Sequence, residues 1–212
     1  PEPTVLPANK SPSHNYYKKQ ALFASSYVQD KIEYPDMIVN VGVRYDFFDP
    51  DDDFISNLLN PEEERKQASK KSMVSPRLGV SFPITDEGIL HFSYGHFFQM
   101  PPMYAMYQNH SFLVDPNDYV TRMGNTLLEP EKTITYEIGL WQELSRQASL
   151  EVALFYRDIY NLLTTKTIST YNQVKYGLYS NKDYGNARGL EVKLDLGLGA
   201  IKSIVNYTLQ YT

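Results

Sequence analysis

Cysteine is absent from the 212 residues, which removes disulfides and thiolate metal sites from consideration. Tryptophan occurs once, against 18 tyrosines and 10 phenylalanines. An aromatic set dominated by tyrosine suits strands and boundaries between water and apolar matter. A basic excess is also lacking: 20 Lys and Arg stand against 25 Asp and Glu, for a net charge of −5, so no nucleic-acid partner is expected. No apolar run approaches the ~20 residues of a membrane helix. That excludes a helical span but not a membrane barrel, whose alternating strands score poorly on hydropathy. The opening PEPTVLPANKSPS lacks the basic-then-apolar order of a signal peptide. The chain also has no Gly-x-Ser-x-Gly, His-Glu-x-x-His or phosphate-binding Gly-Lys loop. No enzyme, cofactor or catalytic residue is therefore expected.

What is present is alternation. Hydrophobic residues make up 42% of the chain, an ordinary globular share. In KTITYEIGL, Thr133, Thr135, Glu137 and Gly139 take turns with Ile134, Tyr136, Ile138 and Leu140. Period-2 stretches of this kind run over Tyr16–Tyr34, Met37–Phe48, Met73–Ile84, Gly88–Phe98, Lys132–Leu144, Ala148–Leu163, Asn186–Leu198 and Ile201–Thr212. They predict about eight β-strands. The first alternates least clearly. Residues 1–15 read as an irregular lead-in, and 16–212 as part of one domain.

The connections sort by length. Residues 35–36, 85–87, 145–147 and 199–200 are tight hairpin turns. Residues 49–72, 99–131 and 164–185 are long. The first of these is acidic and then basic, with a short helical turn expected around PEEERKQASKK. The third reads in part as an extension of its hairpin. Short and long connections alternate without exception, so an up-and-down meander carries all its short turns at one end. That asymmetry marks transmembrane barrels.

The faces agree. Val39, Val41, Val43 and Tyr45 oppose Asn40, Gly42 and Arg44; Leu190, Val192, Leu194 and Leu196 oppose Gly189, Glu191, Lys193 and Asp195. A soluble antiparallel sheet gives the same pattern, but it needs a second apolar layer. No amphipathic helix is available to supply one. Lipid is the simpler cover, and the charged face then lines an enclosed interior. Gly42, Gly79, Gly95, Gly139 and Gly189 all fall on that charged face, where they ease curvature or close packing.

Four segments carry a family resemblance: SPRLGVSFPITDEGILHFSYGHFFQMPP, GNTLLEPEKTITYEIGL, LEVALFYRDIYNLL and DYGNARGLEVKLDL. Asn125, Leu128, Pro130 and Glu131 lead into Tyr136, Glu137 and Gly139; later come Asn186, Gly189 and Glu191. From about Gln20 to its end the chain resembles the barrel of TonB-dependent outer-membrane receptors, the Bacteroidetes-type branch with a carboxypeptidase-like domain ahead of the plug. The resemblance implies an all-β, up-and-down transmembrane barrel of 22 strands in the Gram-negative outer membrane. It also implies an N-terminal plug, an inner-membrane TonB complex that supplies energy, and cargo such as iron chelates, cobalamin or oligosaccharides. The sequence carries no plug and no TonB-contacting segment, so it reads as a middle piece of such a barrel.

Candidate sites follow from this reading. Arg44, Arg77, Glu137, Glu151, Arg157, Glu191, Lys193 and Asp195 are expected to face the lumen or the plug, as ladders of cross-strand pairs rather than an acid–base catalyst. In the loop from Gln99 to Tyr119, Met103, Tyr104, Tyr107, His110 and Tyr119 offer adaptable apolar and stacking contacts for a ligand; the same loop could instead fold inward onto the barrel mouth. His91 and His96 are five apart and belong on opposite strand faces, so they cannot chelate as a pair. His14 and His110 are isolated. Asp46, Asp49, Asp51, Asp52 and Asp53 supply oxygens but lack the spacing of a calcium loop, so no metal site is expected. The function expected is ligand recognition and import, with lipid, plug, TonB complex, a small-molecule or oligosaccharide cargo and neighbouring membrane proteins as partners. The alternatives are an accessory barrel within a larger membrane complex and, behind it, a soluble β-sandwich that binds carbohydrate.

Overall fold

The computed structural model describes residues 17–109, 112, 121–199 and 201–212. Eight long or edge strands run in one antiparallel path. These are β1 (Leu22–Tyr34), β2 (Met37–Asp49), β5 (Lys71–Thr85), β6 (Gly88–Gln99), β8 (Glu131–Ser145), β9 (Ala148–Ser169), β10 (Lys175–Leu198) and β11 (Ile201–Tyr211). Each neighbours the next in that order, so the meander is unbroken. Between them lie a small hairpin of β3 (Asp53–Ile55) and β4 (Arg65–Gln67), the short helix α1 (Met103–Tyr107), and β7 (Arg122–Met123), which pairs in parallel with β10. The sheet is open: β1 and β11 end the path and do not pair with each other. It is a single layer, as a barrel wall is, and not a two-sheet sandwich.

Most strand ends lie within a few residues of the alternation, but β1 begins at Leu22 rather than Tyr16, β9 runs on to Ser169 and β10 begins at Lys175; β1 and β2, β5 and β6, and β8 and β9 are joined by tight turns. Thr85 and Ser145 cap two of them, their hydroxyls accepting from the backbone N–H of Glu87 and Gln147 at 3.3 Å each. The long connections differ more. The segment from 164 to 185 is mostly strand: β9 and β10 continue as a two-stranded ribbon and turn over residues 170–174. The helical turn expected in PEEERKQASKK does not form. Asn57 and Asn60 both donate to the Glu63 carboxylate, at 2.7 and 2.8 Å. Such side-chain bonds offer the backbone a turn in place of a helix, and Arg65–Gln67 then pairs as β4.

The faces are sided. Val41 is 42% exposed and Leu154 55% exposed on the convex face, among many other bare apolar side chains. Along β8 the outward set runs from Ile134 to Leu144. Ten steps of ~3.3 Å, at the ~40° tilt usual for barrel strands, give a band about 25 Å tall, apolar along β8 except at Gln142. A tyrosine belt crosses its upper part, toward the long loops: Tyr94–Tyr136 at 5.2 Å between ring centroids, Tyr136–Tyr156 at 6.4 Å, Tyr160–Tyr184 at 5.5 Å. His96, Asp158, Asn186 and Arg188 share this outward parity, so the apolar face is interrupted by polar residues near the belt.

Buried cores lie at the loop end. One cluster joins Phe48 of β2, Ala105, Met106 and Tyr107 of α1, Leu128 and Tyr179 of β10. A second joins Met123, Tyr176 and Leu178. The described parts of the 99–131 connection thus form a strap on the concave side, tied at β2 and β10.

Candidate ligand-facing site on the concave wall

Antiparallel pairing lines up inward side chains in rows across the strands. One row runs Gly42, Arg77, Gly95, Thr135, Arg157. The next toward the short turns runs Gly79, Ser93, Glu137, Phe155, Gly189. Around them is a trough of about 860 Å³ whose charged lining is Arg44, Arg77, Arg157 and Glu137. Four of the eight lumen residues expected from sequence are thereby brought together.

Their surroundings differ. Arg44 is held by Asp46 through Nε and Nη2, at 2.8–3.0 Å. Arg77 lies over the Phe97 ring, 4.8 Å from its centroid, and Arg157 over Phe155 at 4.4 Å. Glu137 stands 3.7 Å from His91 Nε2. Glu151, Lys193 and Asp195 lie nearer the short turns and outside this trough: Lys193 pairs with Asp195 at 2.9 Å and stands opposite Glu151 in register. Glu191 is exposed, opposite Ala153 and Thr208.

Phe97 and Tyr27, which line the trough, and Phe155, on which Arg157 stacks, were not singled out by sequence reasoning. A signal existed. Phe97 and Phe155 interrupt the polar parity of β6 and β9, and an aromatic at a polar position beside an arginine is the mark of a stacked pair.

The loop residues divide. Met103 and Tyr104 are half exposed on α1. Tyr107 is buried, and its hydroxyl donates to the Pro50 carbonyl oxygen at 2.9 Å. Burial and the nearby carboxylates of Asp52, Asp49 and Asp51 push its phenol up to about 12. Tyr107 therefore builds the strap rather than its surface. His110 and Tyr119 lie outside the described residues.

The segment NTLLEP does structural work. Asn125 accepts from the Leu127 N–H and donates to the Tyr179 carbonyl; Thr126 donates to the Asp53 carbonyl. Leu128 and Pro130 are buried. Asn181 accepts from the Glu129 N–H and donates to the carbonyls of Glu129 and Asn161. The motif thus pins the incoming chain to the β9–β10 ribbon just before β8 begins.

His91 faces inward, while His96 faces outward to the Tyr94 hydroxyl at 2.6 Å. Four residues of the acidic run are engaged by bases: Asp46 by Arg44, Asp49 by Lys70, Asp52 by Lys19 and Asp53 by Arg65. The Lys70 ammonium, foremost, and the Asp51 N–H lower the Asp49 carboxyl below its usual range. Among the described residues no three carboxylate or imidazole groups converge as a metal site would need.

Residues 2–212 match the family model described as TonB dependent receptor-like, beta-barrel. Among curated proteins no sequence match is found. Solved structures do match. The siderophore receptor PirA from Pseudomonas aeruginosa is 20% identical at a TM-score of 0.60, over 90% of this chain and 32% of that one. The Serratia marcescens hemophore receptor HasR, in complex with its hemophore HasA and heme, is 18% identical at 0.71, over 91% and 34%. The Pseudomonas aeruginosa ferric enterobactin receptor PfeA, in complex with enterobactin, is 17% identical at 0.65, over 90% and 27%. At these identities the likeness is one of fold, and this chain spans about a third of those receptors or less. With a family match over nearly its whole length and a sheet that overlays their barrel walls, the chain belongs to the TonB-dependent receptor family and forms part of its β-barrel.

Proposed function

We propose that this chain is barrel wall of a Gram-negative outer-membrane receptor that recognises a ligand and imports it with energy from a TonB complex. The observation that carries the reading is sidedness. A single sheet bares an apolar band about 25 Å tall on its convex face, with leucine and valine half exposed. Its concave face gathers the charged side chains around one trough. Water on the convex face would leave that area without a cover, whereas hydrocarbon tails supply one and demand the closed backbone pairing that a barrel provides.

On this reading the concave face meets cargo and the plug domain, and Met103 and Tyr104 meet arriving ligand at the mouth. His110 and Tyr119 are proposed with them from sequence. Iron chelates are the first cargo to test, because the compared receptors are named for a siderophore, a hemophore with heme, and ferric enterobactin. Oligosaccharides come second.

The test uses the full-length gene product in a Gram-negative host. The expected result is recovery in the outer-membrane fraction, extraction by detergent alone, and ligand uptake that stops when the TonB complex is deleted. Recovery of the intact product in the soluble fraction would sink the reading. A detergent-extracted barrel that takes up nothing and copurifies with a larger membrane assembly would favour the accessory role instead.

A further inference from the structure

The trough contains one construction twice. Arg77 lies 4.8 Å over the Phe97 ring, and that ring lies across Gly95, where a Cβ would stand 3.0 Å from it. Arg157 lies 4.4 Å over the Phe155 ring, which lies across Gly189, where a Cβ would stand 2.7 Å from it. Glycine admits the ring, and the ring supports the guanidinium. Stacking narrows the rotamers of a long side chain and leaves the edge of the fork free to donate.

Among the described residues no carboxylate lies within ion-pair distance of Arg77 or Arg157. Two other cations of this wall are matched: Arg44 by Asp46 at 2.8 Å, and Lys193 by Asp195 at 2.9 Å. The two free arginines share one cross-strand row, joined through Gly95 and Thr135. Their backbones stand three strand spacings apart, about 14 Å. The floor between them is Thr135 and Gly95, with the Phe97 ring laid flat across the glycine beneath Arg77. All this occurs in a chain of net charge −5, which makes the free positive pair a local feature rather than a general excess.

We propose that Arg77 and Arg157 form a two-point anion clamp in the receptor lumen, taking an elongated cargo that carries at least two carboxylate or phosphate groups. The proposal rests on the receptor reading above. Position favours cargo over a contact with the plug. Arg77 pairs with Gly42, six residues short of Phe48, where the strap is anchored. The row therefore lies below the strap, about 20 Å away along the strand, and nearer to it than the row of Glu137. A ligand entering past the loops meets it before the Glu137 and His91 pair or the Lys193 and Asp195 pair. Each fork can take a carboxylate or phosphate through two parallel hydrogen bonds, which a lysine cannot reproduce.

The test is calorimetric titration of the intact receptor in detergent at low salt. Two linear probes of equal length are used, the acidic tetragalacturonate and the neutral maltotetraose. The acidic tetramer is expected to bind saturably and the neutral one not. Arg77→Gln and Arg157→Gln are each expected to weaken binding roughly tenfold, the loss of one charge-assisted contact. Arg77→Lys and Arg157→Lys, which keep the charge and guard against misfolding, recover only part of that loss. The clamp is overturned if the receptor binds neither probe, binds both equally, or binds the acidic tetramer unchanged in the double Gln variant. It is equally overturned if the double variant only lowers the melting temperature, since the pair would then be holding acidic side chains of the plug. None of these results disturbs the receptor reading, which fails by fractionation and TonB-independent behaviour instead.

Discussion

Gly189 shows how one missing Cβ organises this wall. A methyl group there would collide with the Leu209 carbonyl oxygen and stand 2.7 Å from the Phe155 ring. The first obstacle is backbone of the neighbouring strand and cannot yield cheaply. Gly95 differs: a Cβ would stand 3.0 Å from the Phe97 ring and 3.6 Å from Arg77 Cγ, both side chains, and the ring, 43% exposed, can give by the few tenths of an ångström required. Gly189→Val is therefore expected to destabilise the folded receptor by about 1–3 kcal/mol, as overpacking does, and to release Arg157 from its ring. Gly95→Ala is expected to cost well under about 1 kcal/mol. Urea unfolding of both variants in lipid vesicles compares them, and equal midpoints would contradict this account. The sequence pattern put both glycines on the charged face, but it did not say that they seat rings. Alternation reports the face of a residue and is silent about which neighbour leans on it.

At the scale of elements, the strands were legible and the long connections much less so. Period 2 and the four tight turns located every long strand, because side-chain direction along a strand depends on parity alone. The 99–131 connection was read as open between a ligand loop and an inward fold. Its described parts fold inward, because Ala105, Met106 and Tyr107 find a buried partner in Phe48, which is distant in sequence. No local periodicity reports such a contact. Tyr107 gives the strap a measurable signature. Its phenol rises from 10.0 to about 12, chiefly through desolvation. A proton bound more tightly in the folded strap stabilises it fully below the ordinary tyrosine value, and that contribution fades as pH climbs toward the raised one. The strap should thus loosen between pH 10 and about 12, read as hydrogen-exchange protection lost at the amides of 103–107 while β8 and β9 keep theirs. Tyr107→Phe, which cannot ionise, should shift that loss to higher pH. An unchanged profile in that variant would place the titration elsewhere.

For the whole molecule, sidedness is the property on which membrane residence, the cargo trough and the clamp all depend. It can be tested on one strand. Leu154 faces outward in the middle of the apolar band, 55% exposed, paired with Ile138 and Leu190. Ser149, five residues earlier, has the opposite parity and stands in register with Glu143 and Asp195. An arginine at 154 must be carried into hydrocarbon, at a cost of about 2–4 kcal/mol near the midplane. An arginine at 149 meets two carboxylates in the lumen and should change stability by no more than about 0.5 kcal/mol. Leu154→Arg and Ser149→Arg in the full receptor, unfolded by urea from lipid vesicles, should therefore separate widely. In detergent micelles, which deform around a charge, the gap should narrow. If water covered both faces the order would reverse, since Leu154→Arg would put a charge on an already exposed position and Ser149→Arg would crowd the wall.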